Sequence, residues 1–295
     1  MYHNVMPPGS PIGFNEHSIS ISQREFVRHA RILGMLFNIL PVDEYARKLL
    51  VGKKGIRDIA ITFDDGSSAN FIGLWPVLEK LQIPVSIFVT TRHLNNGLLL
   101  WDYFLNALCF DSGYQKITFN DTTYGLSSAS QRRSTKNALF RLGIDLNTQI
   151  EIQNVLSKNY PIPNHIIRFY EGMSSKQLRQ AAKSRLILLG AHSVHHPNLS
   201  QLTAEEQFNE IRDSKRKIEE IIEDEVKMFA FPNGDYDSKT LKAIEKSGFD
   251  ISFAVSTKNI GDSKYEIPRV GIFSSSIIKL LIKVFHQIFI GGSRK

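Results

Sequence analysis

Two groups of residues that could perform chemistry together lie far apart in this sequence. The first is Asp64-Asp65-Gly66, which ends a short apolar run over residues 59–63. The second contains His192 and His196, four positions apart, after the apolar run 186–189. Two imidazoles and one carboxylate form a common catalytic zinc set, and a second carboxylate is then available as a general base. An Asp-Gly turn and structural histidines are the ordinary explanations, but the two groups together favour a metal site.

Alternating strand and helix patterns indicate how these groups are positioned. Strands are predicted over 59–63, 84–90, 186–189, 226–231 and 251–255, and helices over 70–81 and 174–183. Three helix starts have the spacing of a capping box: Ser22 with Glu25, Ser174 with Gln177, and Thr203 with Glu206. Such alternation is typical of a mostly parallel α/β fold. Ligands bind at the carboxyl ends of the strands in such folds, so both groups are expected at one edge.

Composition bounds the class of protein. The chain has 295 residues, 42% hydrophobic and 22% charged, which is typical of a soluble globular protein of one large or two small domains. Its formal charge of +7 favours anionic partners, but no Lys/Arg block with interleaved aromatics occurs, so no nucleic-acid partner is predicted. The single cysteine, Cys109, is expected to be a buried apolar residue. The first eleven residues lack a signal-peptide pattern, which leaves the compartment open between cytoplasmic and membrane-peripheral.

Two further segments need separate interpretations. Residues 98–173 break the alternation, and they are predicted to form an insertion over the fold with a loop or small hairpin near 111–130. Residues 277–290 are apolar with a narrow polar stripe that includes Lys279 and Lys283. At about fourteen residues this helix is too short to span a bilayer, which needs roughly twenty. It either packs on the fold or lies at a membrane interface as an amphipathic helix.

Three motifs carry a family resemblance. Thr62-Phe63-Asp64-Asp65-Gly66, His192-Ser193-Val194-His195-His196-Pro197 and Phe229-Ala230-Phe231-Pro232-Asn233-Gly234 resemble successive motifs of the polysaccharide deacetylase family, that is, the NodB homology domain or carbohydrate esterase family four. The opening Met1-Tyr2-His3 is similar to a Tyr-His pair that precedes the domain in bacterial exopolysaccharide deacetylases. The resemblance covers roughly 57–97 and 174–273. It implies a distorted (β/α) barrel in a single domain over 1–295, with an N-terminal segment 1–56, a motif-bearing core of about 57–273 and the C-terminal helix of about 277–290.

The resemblance also implies residue roles. Asp65, His192 and His196 would bind zinc or a similar divalent ion, and Asp64 would be the general base. The backbone N–H of Asn233 would donate to the oxyanion. His195 would have a structural role, because it is out of phase with His192.

The sequence departs from the family pattern at two places. Many members have an arginine that holds the base aspartate, and here Ala230 occupies the corresponding position. Arg269 is a candidate replacement, with a surface arginine as the alternative. Many members also have a late histidine that protonates the leaving amine. His286 and His3 are both candidates for this role.

The predicted function is therefore metal-dependent removal of acetyl groups, N-acetyl in particular, from a carbohydrate of cell-surface polysaccharide metabolism. The partner would be an acetylated oligo- or polysaccharide, with a lipid-linked form left open. One alternative is a non-catalytic glycan-binding protein on the same fold. The other is a deformylase or amidase that acts on a lipid-linked amino sugar.

Overall fold

The computed structural model describes residues 1–11, 19–95, 99–255 and 263–290, without the side chains of 289 and 290. In chain order the strands are β1 Asn4–Met6, β2 Ser20–Ser22, β3 Asn38–Ile39, β4 Asp58–Ile59, β5 Thr62–Phe63, β6 Val85–Val89, β7 Lys116–Phe119, β8 Thr122–Gly125, β9 Ile187–Ala191, β10 Met228–Ala230, β11 Ile251–Ala254 and β12 Ile267–Pro268. The α-helices are α1 Gln23–Leu36, α2 Val42–Leu50, α3 Ser68–Leu81, α4 Trp101–Asn106, α5 Ala129–Leu142, α6 Leu146–Asn159, α7 Asn164–Ile167, α8 Ser175–Ala182, α9 Ala204–Ile222, α10 Ser238–Lys246 and α11 Ile277–Ile290.

Six of the strands form one curled parallel sheet in the order β12-β11-β10-β9-β6-β5, which makes a half-barrel. Each pair along this order is parallel because a helix or a longer connection returns the chain to the same end of the sheet. The predicted α/β fold of the distorted barrel type is confirmed. The carboxyl ends of β5 and β9 therefore lie at the same edge, where Asp64 and His192 follow them directly.

The three predicted capping boxes are all present. The side chains of Ser22, Ser174 and Thr203 each accept a hydrogen bond from the backbone N–H three residues later, and the Glu or Gln there bonds back. These reciprocal bonds satisfy two backbone donors that a helix start otherwise leaves unpaired. Local sequence thus sets where α1, α8 and α9 begin.

The first residues of the chain lie in the open seam of the half-barrel, between its edge strands β5 and β12. The backbone N–H of Tyr2 donates to the Thr62 carbonyl at 2.8 Å, and the Asp64 N–H donates to the Tyr2 carbonyl at 3.0 Å. On the other side, the Ile272 N–H donates to the Met1 carbonyl at 2.9 Å. Residues 1–2 therefore connect β5, which Asp64 follows directly, to the segment that follows β12.

The segment 99–173 has its own apolar cluster, which includes the buried ring of Tyr103 and the buried Cys109. Its β7 and β8 pair as an antiparallel hairpin, within the region predicted as a loop or hairpin. In the same segment, α4 is followed by a π-helical turn, Ala107–Asp111. The assignment of one domain to the whole chain stays a prediction.

Helix α11 packs on the half-barrel through Leu280, which is buried in its main apolar cluster. Ile278 and Ile282 on the same helix are 72% and 62% exposed. No helix in the part of the chain that the structure describes is long and apolar enough to cross a membrane.

Candidate metal centre

The turn after β5 presents both predicted carboxylates at the edge of the sheet. Asp65 and Gly66 both have a φ of 71°, in the left-handed region. Asp tolerates this conformation better than most residues, and Gly adopts it without a steric cost. A Cβ atom at Gly66 would also lie 3.0 Å from the Cα of Val89, so this position leaves little room for a side chain. Asp65-Gly66 thus forms a turn, and the carboxylates of Asp64 and Asp65 are both buried at this edge.

Asp65, His192 and His196 come together at this edge. One ligand atom from each lies within 4.8 Å of the other two. The Asp65 Oδ1 atom is 3.8 Å from His192 Nε2 and 3.5 Å from His196 Nε2. Oδ1 is buried and has no hydrogen-bond partner within the described protein. A buried carboxylate oxygen without a donor, facing two imidazole nitrogens, fits a divalent metal ion as its partner. The cluster is consistent with a divalent metal site.

His192 is oriented for such a role by the strand next to its own. Its Nδ1 lies 2.7 Å from the Ala230 carbonyl, so the Nδ1–H donates there and leaves the Nε2 lone pair toward the cluster. Burial lowers the pKa of His192 to about 4, although the Asp64 carboxylate acts in the opposite direction. The imidazole is therefore neutral at physiological pH, the form that binds a metal.

The loop that carries the second histidine is held by its own residues and by helix α9. Ser193 and His196 have φ values of 64° and 62°. The Ser193 Oγ accepts the His196 N–H at 3.0 Å. Glu210 accepts the N–H groups of Val194 and His195 at 3.0 and 2.9 Å, and it also contacts the His195 ring. These contacts hold a left-handed backbone in place and turn His195 toward α9.

A hydrogen-bonded chain from outside the motifs orients Asp65. The Tyr103 hydroxyl donates to Asp65 Oδ2 at 2.7 Å, and Asn4 Nδ2 donates to that hydroxyl at 2.7 Å. Ser67 Oγ donates to Asn4 Oδ1, also at 2.7 Å. With Oδ2 held by Tyr103, Oδ1 is the oxygen that faces the histidines. Sequence reasoning missed Tyr103, which lies in an apolar helical pattern, and Asn4, whose only signal was its position next to Tyr2-His3.

Asp64 forms a buried pair with Arg269. The guanidinium donates from Nη1 to Oδ1 at 2.6 Å and from Nη2 to Oδ2 at 2.8 Å, and Nη1 also reaches Thr62 Oγ1 at 3.2 Å. Arg269 is only 7% exposed, so the alternative of a surface arginine is wrong. Burial acts to raise the pKa of Asp64, but the charge and hydrogen bonds of Arg269 and the effects of His192 and His3 together outweigh burial and hold the pKa far below its ordinary value. Asp64 is thus an ionised carboxylate with Oδ2 3.9 Å from His192 Nε2.

Three other predicted residues, His286, His3 and Asn233, differ in how they relate to the metal cluster. His286 is on the exposed side of α11. His3 is close enough to the cluster for its charge to act on both carboxylates. Burial lowers the pKa of His3, and the charges of Asp65 and Asp64 oppose that effect. Asn233 lies in the turn after β10 with a φ of 56°, and its side-chain amide donates to Asn198 Oδ1 at 2.9 Å.

Comparisons with known proteins identify a matching family profile and similar folds. The profile of the family described as polysaccharide deacetylase matches residues 52–252. YxkH of Bacillus subtilis (strain 168), whose name places it with the polysaccharide deacetylases, is 24% identical over 147 residues, which are 48% of this chain and 52% of YxkH. The chain thus spans about half the length of this relative.

Two solved structures show the same fold at low sequence identity. IcaB from Ammonifex degensii has a TM-score of 0.61 at 16% identity, with 96% of this chain and 94% of that one covered. The Streptococcus pyogenes deacetylase PplD in complex with acetate has a TM-score of 0.57 at 15% identity, with 96% and 98% covered.

Proposed function

The chain belongs to the polysaccharide deacetylase family, and on this premise we propose that it is a metal-dependent hydrolase that removes N-acetyl groups from a carbohydrate of cell-surface polysaccharide metabolism. The observation that carries the proposal is the ionised Asp64, held by Arg269 beside the cluster of Asp65, His192 and His196. A non-catalytic glycan-binding protein would need no buried, charged base next to a metal site. The pair therefore favours catalysis over binding alone.

In the proposed reaction, Asp65, His192 and His196 would hold a divalent ion, zinc in our proposal, which would supply Lewis-acid polarisation of the acetyl carbonyl when bound. Asp64 accepts a proton from the attacking water, and Arg269 keeps Asp64 ionised until then. The backbone N–H of Asn233 donates to the oxyanion that develops on the carbonyl oxygen.

We assign protonation of the leaving amine to His3. Of the two candidate histidines, it is the one that interacts electrostatically with Asp64 and Asp65, whereas His286 lies exposed on α11. His3, whose pKa is lowered by burial, passes on the proton that Asp64 took from the water. The amide C–N bond breaks as the nitrogen takes up that proton, and the products are acetate and the free amine.

The test is to measure divalent metal content and acetate release from a panel of N- and O-acetylated oligosaccharides. We expect the native chain to bind about one metal ion and to release acetate from N-acetylated members. His196→Ala should lose the metal. Asp64→Asn should keep the metal and release no acetate, because it lacks only the base. The proposal fails if the purified protein neither contains nor takes up a divalent metal, or if Asp64→Asn is fully active.

A second candidate substrate is a lipid-linked amino sugar, with the chain acting as a deformylase or amidase at a membrane surface. The exposed Ile278 and Ile282 of α11, next to Lys279, favour it because this combination suits an interfacial helix. Replacing both isoleucines with serine should abolish co-sedimentation with anionic liposomes. Equal sedimentation of the native and the doubly substituted chain would count against membrane contact through α11.

A further inference from the structure

The residues that directly follow β6 bind both loops of the metal cluster. The Thr90 N–H donates to the Asp65 carbonyl at 3.2 Å, and Thr90 Oγ1 donates to the His192 carbonyl at 3.1 Å. The Thr91 N–H donates to the Ser193 carbonyl, also at 3.2 Å. This segment therefore joins the turn of Asp65 to the loop that carries the two histidines, and it lies outside the three motifs.

The imidazole of the next residue, His93, is fully buried beside these loops. The Gly172 N–H donates to the His93 carbonyl at 3.2 Å, and a Cβ atom at Gly172 would lie only 2.8 Å from His93 Nε2. The Met173 N–H donates to the Gly66 carbonyl at 3.0 Å. The ring also interacts with the backbone carbonyls of Asp65 and Gly66. His93 is therefore in contact with both the Asp65-Gly66 turn and the end of the segment 99–173.

The ring nitrogens of His93 are not satisfied. Neither Nδ1 nor Nε2 makes a hydrogen bond of good geometry within the part of the chain that the structure describes. His29 is equally buried, but its Nδ1 lies 3.2 Å from the Tyr2 hydroxyl and its Nε2 lies 3.1 Å from the Ser275 carbonyl. A buried N–H without an acceptor destabilises a folded chain, and native proteins keep such groups mainly at functional sites. The imidazole of His93 thus has a use other than packing, since an apolar side chain would fill the space without this cost.

The Asp65-Gly66 turn has to be held by its surroundings. Asp65 has a φ of 71°, and a residue with a Cβ atom keeps such a conformation only where neighbouring groups impose it. A change of φ at Asp65 would move its carboxylate relative to the histidine nitrogens, which lie 3.5 and 3.8 Å from Oδ1. Groups that act on the carbonyls of this turn therefore control the geometry of the ligand cluster.

We propose that His93 is a positioning residue of the metal centre, whose ring N–H acts on the carbonyls of the Asp65-Gly66 turn and holds Asp65 Oδ1 toward His192 and His196. The inference rests on the proposed function, because it assumes that the cluster binds a divalent ion. It adds a residue from outside the motifs to those that set the affinity for this ion.

The experiment compares the full chain with His93→Met and His29→Met, since methionine is apolar and adapts to irregular spaces. Competition with a chromophoric chelator measures zinc affinity, and urea unfolding measures the stability of the metal-free chain. We expect His93→Met to bind zinc about 10–100-fold more weakly, with a stability equal to or above that of the native chain. His29→Met should show the reverse, namely unchanged zinc affinity and lower stability, because it loses the two contacts of the ring.

Two amide variants test the ring N–H itself. His93→Asn places an amide N–H near the position of Nδ1, and His93→Gln places one near Nε2. One of the two should recover most of the zinc affinity that His93→Met loses. The inference is overturned if His93→Met binds zinc as the native chain does, if it is as unstable as His29→Met or does not fold, or if neither amide recovers affinity. A native chain that takes up no divalent metal would instead overturn the proposed function, and the inference with it.

Discussion

Replacement of Arg269 with methionine tests the proposed role of the buried ion pair. The substitution removes two charge-assisted hydrogen bonds, of 2.6 and 2.8 Å, from Asp64, which is 2% exposed. Methionine fills much of the space but has no charge. Removal of one partner of a buried pair costs about 3–5 kcal/mol of the free energy of unfolding, because the other charge is left buried and unpaired. We expect Arg269→Met to be destabilised by an amount in this range at neutral pH.

The same substitution should reverse how Asp64 affects stability as pH changes. In the native chain the folded-state pKa of Asp64 lies below its unfolded value of about 3.9. Its contribution to stability is therefore present above that pH and is lost as the pH falls through the folded pKa. Without Arg269, burial dominates and raises the folded pKa above the unfolded value. Stability of the variant should then decline as the pH rises above about 4.

Activity should follow the protonation state of the same carboxyl group. A protonated Asp64 cannot accept a proton, so acetate release at neutral pH should fall about 10²–10⁴-fold and should recover partly as the pH rises. The metal ligands are unchanged, so metal content should stay near that of the native chain. The assays are urea unfolding of the metal-free protein from pH 4 to 8 and acetate release over the same range.

A double variant supplies the control. Asp64→Asn together with Arg269→Met removes both charges, and replacement of both partners costs much less than loss of one. The double variant should therefore be more stable than Arg269→Met alone. The reasoning is refuted if the single and double variants lose the same stability, or if Arg269→Met keeps the pH dependence of the native chain.

Two further predictions concern the metal cluster. Tyr103→Phe should weaken metal binding about 10–100-fold, because Asp65 loses the donor that orients it. Competition with a chromophoric chelator measures this affinity. As a control, Tyr170 is another buried tyrosine of the same apolar cluster, and Tyr170→Phe should leave metal affinity unchanged. Burial lowers the pKa of His192 to about 4. Between about pH 6.5 and pH 4, only the unfolded chain therefore takes up a proton at this imidazole, so the stability of the metal-free chain should fall as the pH drops through this range. Urea titrations should show a flatter pH profile for His192→Asn, and an unchanged profile would contradict the buried neutral histidine.

Features that depend on local spacing could be predicted from the sequence alone. The starts of α1, α8 and α9 follow from capping boxes, whose bonds join residues three positions apart. The alternation of strand and helix indicated the parallel sheet, and polar residues after two strands placed Asp65 and His192 at one edge. These are consequences of periodicity and of the direction of parallel strands, so a linear pattern contains them.

Which distant residues meet those groups depends on how the whole chain folds. Arg269 lies 205 positions from Asp64, and their contact depends on the curl that brings the edge strands β5 and β12 toward the same seam. Tyr103 reaches Asp65 from the segment with the least regular pattern. Such contacts depend on strand order and curvature, and local propensity contains no information about either.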